Sequence, residues 1–176
     1  MDDGPEGAAA AGEHLSRVLE SLHEVPALLR NRHLDVLASN ELARRVSAAF
    51  QPGVNMARFI FLNPEVAAST GDWDHVCRQS ANCLRTSLET HLEDAGFRAL
   101  VGELAARSDD FSRAWAQEPG DRVDTGNFDV EHPVVGSLSM AYQQLQGLHG
   151  PGDPVLVVLR ARDRASRDAL RRLRAM

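Results

Sequence analysis

The order in which strand-like and helix-like segments succeed one another limits this chain more than any single motif. Two short strand-like runs, "PALLRN" and "HLDVLAS", stand near the start, and a polar turn at Asn31 and Arg32 makes them read as a hairpin. Three more runs come late: "VDTGNFDVE" and "VVGSLSMAYQQL", divided at His132-Pro133, and "VLVVLRA" after the turn "PGDP". Leu138, Met140 and Tyr142 alternate with Ser137, Ser139 and Ala141, which predicts one buried face. The nearly all-apolar "VLVVLRA" predicts a central strand. Between the second and third runs the spacing is helical throughout.

That middle block is punctuated by helix-start residues. Ser39 and Asn40 cap a helix whose core face is Leu42, Val46, Ala49 and Phe50, and "QPGVN" breaks it. "MARFIFL" forms a short helix, and Asn63 with Pro64 opens the next. Asp72 caps a long helix from Trp73 to about His91, with Trp73, Val76, Cys77, Ser80, Leu84 and Leu88 inward. Asp94 and Ser108 start two more, the second with Phe111 and Trp115 on one side. Outside the block, Leu15, Val18, Leu19 and Leu22 make residues 13–24 an amphipathic helix that Pro26 ends, and "RASRDALRRLRAM" is a basic helix at the end. The expectation is an α+β domain over 13–176 behind a disordered tail at 1–12. Its five strands form one antiparallel sheet with the middle helices packed over one face. A sheet with its helices bunched between the second and third strands is the PAS-like layout, which often keeps a cavity between sheet and helices.

Composition removes several functions. The 176 residues suit one domain, and the net charge of -6 argues against a grip on nucleic acid by this chain alone. All the basic residues are arginine, so lysine Schiff bases and P-loop lysines are excluded. No apolar run is long enough to span a membrane, and the acidic start does not resemble a signal peptide, so a cytoplasmic location is expected. Cys77 and Cys83 form no CxxC and read as buried small residues. His75, Cys77, Cys83 and His91 spread over different helix faces, so neither metal nor cofactor is expected. Asp109-Asp110 and Glu93-Asp94 read as helix-cap acids, and His132 as a turn residue whose ring caps backbone groups. No nucleophile elbow, Gly-rich phosphate loop or HExxH occurs, so an enzyme is not expected.

Four blocks carry a family resemblance. "VPALLRNRHLDVLASNELA", "NMARFIFLNP" followed by "DW", "LVGELAARSDDFSRAW" and "FDVEHPVVGSLSMAYQQL" together resemble, in order, the MmyB-like ligand-binding domain of XRE-type bacterial transcription regulators. The resemblance covers about residues 25–160. It implies a PAS-like sensor that binds a fatty-acid-like molecule and normally follows a helix-turn-helix domain. The chain departs from the family pattern at Ser39, where tryptophan is usual, and at Asn63, where aspartate is usual. Residues 1–12 leave no room for a helix-turn-helix, so DNA is expected to be reached only through a domain absent from this chain.

The candidate site follows from "RFIFLNPEVAASTGDW". Arg58, Phe61 and Leu62 stand at i, i+3 and i+4. An arginine there serves as anchor for an anionic head group, as a structural salt bridge to a protein acid, or as a side chain that snorkels to the surface. The expected ligand-contacting set is Arg58, Phe59, Phe61, Leu62, Trp73, Met140 and Tyr142; Phe111 and Trp115 serve as core or pocket wall. The functional expectation is a ligand-sensing regulator domain, dimeric through the 13–24 stripe. The alternative is a stand-alone dimerisation module without DNA-binding activity.

Overall fold

The computed structural model describes residues 17–90, 93–118, 120, 124–146 and 154–176, with side chains at 88–90 left aside. The expected tail at 1–12 and Leu15 lie outside the described residues.

β1 (Ala27–Arg30) and β2 (Val36–Ser39) form the expected antiparallel hairpin. Asn31 shapes its turn: Oδ1 accepts from the backbone N–H groups of His33 and Asp35, both at 2.9 Å. Leu34 takes the left-handed conformation there, φ 66°. β3 (Thr125–His132) runs antiparallel beside β4 (Gly136–Leu145), from Thr125 opposite Gln143 to His132 opposite Gly136. β5 (Val155–Ala161) lies between β1 and β4, so the all-apolar run is central, as its composition predicts. The sheet order is β2-β1-β5-β4-β3. This is the expected PAS-like α+β architecture.

Each sheet face has its own cover. Leu28, Val36, Leu138, Met140, Val157 and Leu159 point inward. They pack against α2 (Glu41–Val46), a 3-10 turn at Ala48–Phe50 and α8 (Arg164–Arg174). The helix expected to run from Leu42 to Phe50 is broken at Ser47, whose extended backbone and Oγ, accepting from Ala49 N–H, cap the second piece. The break still buries all four expected residues. Ala141, expected on the polar side, is 4% exposed, since its small side chain lies between its register partners Asn127 and Arg160. On the outer face sits α1, described over 17–21. Leu19 and Leu22 pack there against Ala27, Leu29, Ala38 and Leu156. The stripe expected to face a partner is thus largely spent on its own sheet, leaving Val18 exposed.

The second layer comprises α3 (Met56–Leu62), α4 (Pro64–Ser69), α5 (Trp73–Thr90), α6 (Ala95–Arg107) and α7 (Asp109–Ala116). Phe61, Cys77, Ala81, Leu84, Phe97, Leu104 and Phe111 form its core. Val76 and Ser80, expected inward on α5, are only half-buried, and Ala81 takes the inward place. Asp94 joins the layers. It caps α6 through Phe97 N–H (3.0 Å) and accepts from Arg32 Nε (2.9 Å) and His33 Nε2 (2.8 Å) on the β1–β2 turn.

Candidate functional site

Caps position the stretch that begins at Asn55. Its Oδ1 accepts from Arg58 N–H (2.9 Å), and its Nδ2 donates to His33 O (2.8 Å) and Asp35 Oδ1 (2.7 Å). This buried asparagine starts α3 and pins it to the hairpin. Asn63 ends α3 and caps α4 through Glu65 N–H (3.1 Å), with Pro64 in the first turn as expected. α4 has no buried residue. Asp72 Oδ1 then accepts from His75 N–H (3.1 Å) at the start of α5.

These helices meet α7 around aromatic rings. Phe61 stands edge-on to Phe111 (5.0 Å between centroids) and to Trp73 (6.5 Å), while Phe111 stacks on Trp115 (5.3 Å). Arg85 lies over the Trp115 ring at 4.9 Å. The Trp73 indole donates to Asp110 Oδ2 at 2.9 Å. Beside the rings a groove of about 490 Å³ is floored by Ile60, Phe61, Leu62 and Trp73 and rimmed by Arg107, Asp109, Asp110 and Arg113.

Arg58 stands outside that groove. Its side chain is 46% exposed and its Nε donates to Glu103 Oε2 at 2.8 Å. Arg107, on the groove rim, holds the other oxygen of the same carboxylate at 2.8 Å. The two guanidinium groups, Arg58 first, hold the Glu103 carboxyl below its usual range. The trio Arg58–Glu103–Arg107 carries a net charge of +1, which Asp109 on the same rim balances, since Asp110 is paired with Arg113.

The expected set is divided between the layers. Phe61, Leu62 and Trp73 line the groove, with Arg58 one ion pair from its rim. Phe59 and Met140 belong to the core on the sheet side, Met140 fully buried. Tyr142 lies partly buried at the sheet's inner face. Burial pushes its phenol up to about 12, so it is a neutral hydrogen-bonding group.

Sequence reasoning missed Arg30, which is 4% exposed and bonded to Cys83 and Gln144. The available signal was its place in "ALLR", two residues after inward Leu28. It also read both cysteines as small apolar fillers. That holds for Cys77, whose thiol burial pushes up to about 12, but Cys83 is half-buried and accepts from a guanidinium. His132 does cap its turn: Nδ1 accepts from Val134 N–H (3.2 Å), and Nε2 bonds Arg45 O (2.8 Å). Asp94 caps α6 as expected, while Asp109 and Asp110 lie in the first turn of α7 behind the true cap, Ser108. Among the described residues no cluster of His, Cys, Asp and Glu is arranged to hold a metal, and no helix is long and apolar enough to cross a membrane.

A PAS-like sheet with a groove among its intervening helices is the architecture of a ligand-receiving domain. The chain belongs to the MmyB-like transcription regulator ligand binding domain family, whose model matches residues 11–173. Among solved structures it is similar to the PAS domain of a protein from Desulfitobacterium hafniense, with 14% identity and a TM-score of 0.39 over 82% of this chain and 98% of that one. It is also similar to the PAS domain from Bordetella pertussis BvgS, with 10% identity and a TM-score of 0.39 over 93% of each chain. A third is the PAS domain of an HTR-like protein from Haloarcula marismortui, with 12% identity and a TM-score of 0.37 over 89% of this chain and 99% of that one. No curated protein matches the sequence.

Proposed function

We propose that this chain is the non-enzymatic sensor domain of a cytoplasmic bacterial helix-turn-helix regulator of the XRE type, and that it binds a fatty-acid-like molecule. The supporting observation is the groove of about 490 Å³, where Ile60, Phe61, Leu62 and Trp73 lie beside Arg107, which shares the Glu103 carboxylate with Arg58. Its size falls within the roughly 300–1,000 Å³ of small-molecule sites. An acyl chain on Phe61, Leu62 and Trp73 gains about 0.8 kcal/mol per methylene buried, so a dozen gain roughly 10 kcal/mol before ordering and desolvation take their share. The carboxylate end meets Arg58 and Arg107, the two guanidinium groups that share Glu103. Ligand shifts the population of α3–α4 arrangements, because α4 buries nothing that would fix it, and so biases an attached DNA-binding domain.

Native mass spectrometry of protein purified from cells, followed by organic extraction, tests the reading. A bound monocarboxylic acid released on extraction is expected. Protein that carries no such molecule and takes up no added dodecanoate would sink it. The proposed assembly is a homodimer, since regulators that read paired half-sites are two-fold symmetric. Sedimentation as a monomer at micromolar concentration would remove that part alone.

A further inference from the structure

Arg30 ends β1 in phase with Leu28, so its side chain runs inward toward α5 and is 4% exposed. The guanidinium donates to Gln144 Oε1 (2.7 Å), to Cys83 Sγ (3.2 Å) and to the Asn31 carbonyl (3.1 Å). All three acceptors are neutral, and three of the five N–H donors of the side chain are used. No described acidic side chain pairs with it. The arginines that do hold a described carboxylate, from Arg32 to Arg174, have side chains 27% to 93% exposed. The carboxylate-paired arginines thus lie where water would suffice, while buried Arg30 has no carboxylate among the described residues. A guanidinium stays charged when buried, and its desolvation is offset only by an opposite charge or a full set of strong hydrogen bonds.

The surroundings are donors as well. Gln79 and Cys83 lie one turn apart on α5, and Tyr142 and Gln144 lie two residues apart on β4, on one face of the sheet, where Gln144 accepts from Arg30. Gly126 on β3 leaves the room in which they meet, since a Cβ there would collide with the Tyr142 hydroxyl and the Gln79 amide. The seam between α5 and the sheet therefore gathers guanidinium, phenol, amide and thiol groups. It reaches solvent at half-buried Cys83.

We propose that this seam is an anion subsite, in which Arg30 receives a carboxylate in a bidentate pair with Tyr142 and Gln79 as further donors. The carboxylate displaces the thiol, a weak acceptor, from Nη2 and takes Nε on the same edge of the guanidinium. The subsite is distinct from the groove: Cys83 lies ten residues beyond Trp73, roughly 15 Å along α5 at the helical rise. It goes beyond the sensor reading and does not depend on what the groove holds. The carboxylate belongs either to a small free acid or to the end of a longer one.

Alkylation of Cys83 by iodoacetamide reports on the seam, since Cys77 is buried and its thiol stays protonated. Carboxylate should slow alkylation of the wild-type chain in a concentration-dependent way, and dodecanol should not. Protection by acetate identifies a small-acid site; protection by dodecanoate alone identifies the end of a long one. Arg30→Met should need about ten- to hundredfold more carboxylate for the same protection, while removal of an exposed α8 arginine in Arg164→Ala should leave protection as in the wild type. Absence of protection in the wild type overturns the proposal whether or not Arg30→Met folds. So does a folded Arg30→Met protein protected like the wild type, or an equal loss of protection in Arg164→Ala, which would show a general effect of removing positive charge.

Discussion

The sheet layer and the helical layer are stabilised in different ways. Under the sheet, aliphatic side chains from three central strands meet α2 and α8, and β1, β5, β4 and β3 are joined by unbroken ladders, with a register shift only where β2 pairs β1 at Leu29 and Arg30. In the helical layer a ring cluster, Phe61, Phe111, Trp73 and Trp115, stands beside buried Leu84, Phe97 and Leu104 and is tied by polar contacts such as Trp73–Asp110. Its helices are mostly short and depend on individual capping side chains: Asn55, Asn63, Asp94 and Ser108. The groove lies in this second layer, where α4 buries no residue. The contrast separates a part that maintains the fold from a part that can rearrange around a ligand.

The comparison breaks most visibly under cavity-forming substitutions. Phe111→Ala should cost about 3–5 kcal/mol and Leu138→Ala about 2–5 kcal/mol, both being fully buried. Only Phe111→Ala should abolish the response to dodecanoate, because its ring supports Phe61 at the groove floor. Denaturant unfolding with and without dodecanoate measures both, and a Phe111→Ala protein that titrates like the wild type would dissolve the distinction between the layers.

A smaller effect is expected at the groove edge. Arg58→Ala should weaken dodecanoate by roughly 1.5–3 kcal/mol, about ten- to hundredfold, and leave its methyl ester unchanged. Trp73→Ala should weaken acid and ester alike. Equal losses for acid and ester in Arg58→Ala would assign this arginine to the Glu103 ion pair alone.

Asn55→Ala should cost about 0.5–2 kcal/mol through loss of the α3 cap. Its Nδ2 bonds to His33 and Asp35 cross between layers, so groove binding should weaken with it. Unchanged stability by thermal unfolding would remove Asn55 from the account.

The mildest test concerns Asp94, which joins the layers. The Phe97 N–H first, then His33 and Arg32, hold its carboxyl well below the usual range. A depressed carboxyl contributes stability above its unfolded value of about 3.9 and loses it as pH falls further. Thermal melts should therefore decline below about pH 4, and Asp94→Asn should flatten that decline. Identical acid profiles for the two proteins would show that the carboxylate is not what couples hairpin and α6.

Strand periodicity, the apolar central run and the cap residues determined the element order, and with it the sheet and the position of the helices, because these signals act over a few residues. Asn63-Pro64, Asp94 and Ser108 begin helices where their short-range hydrogen bonding says they should. The same range explains why Phe61, Leu62 and Trp73 fall together: they are near in sequence, with only the short α4 between them. Tertiary structure decided the rest. Whether Arg58 faces a pocket or an acid depended on Glu103, 45 residues away. Whether α1 offers its stripe to a partner depended on Ala27, Leu29 and Leu156, to which Leu19 and Leu22 are brought by the fold. Arg30 reads locally as a strand-end arginine; its burial follows from the fold bringing α5, with Cys83 53 residues away, against it. A charge's environment is set by whatever the fold packs around it, and local sequence carries no record of that.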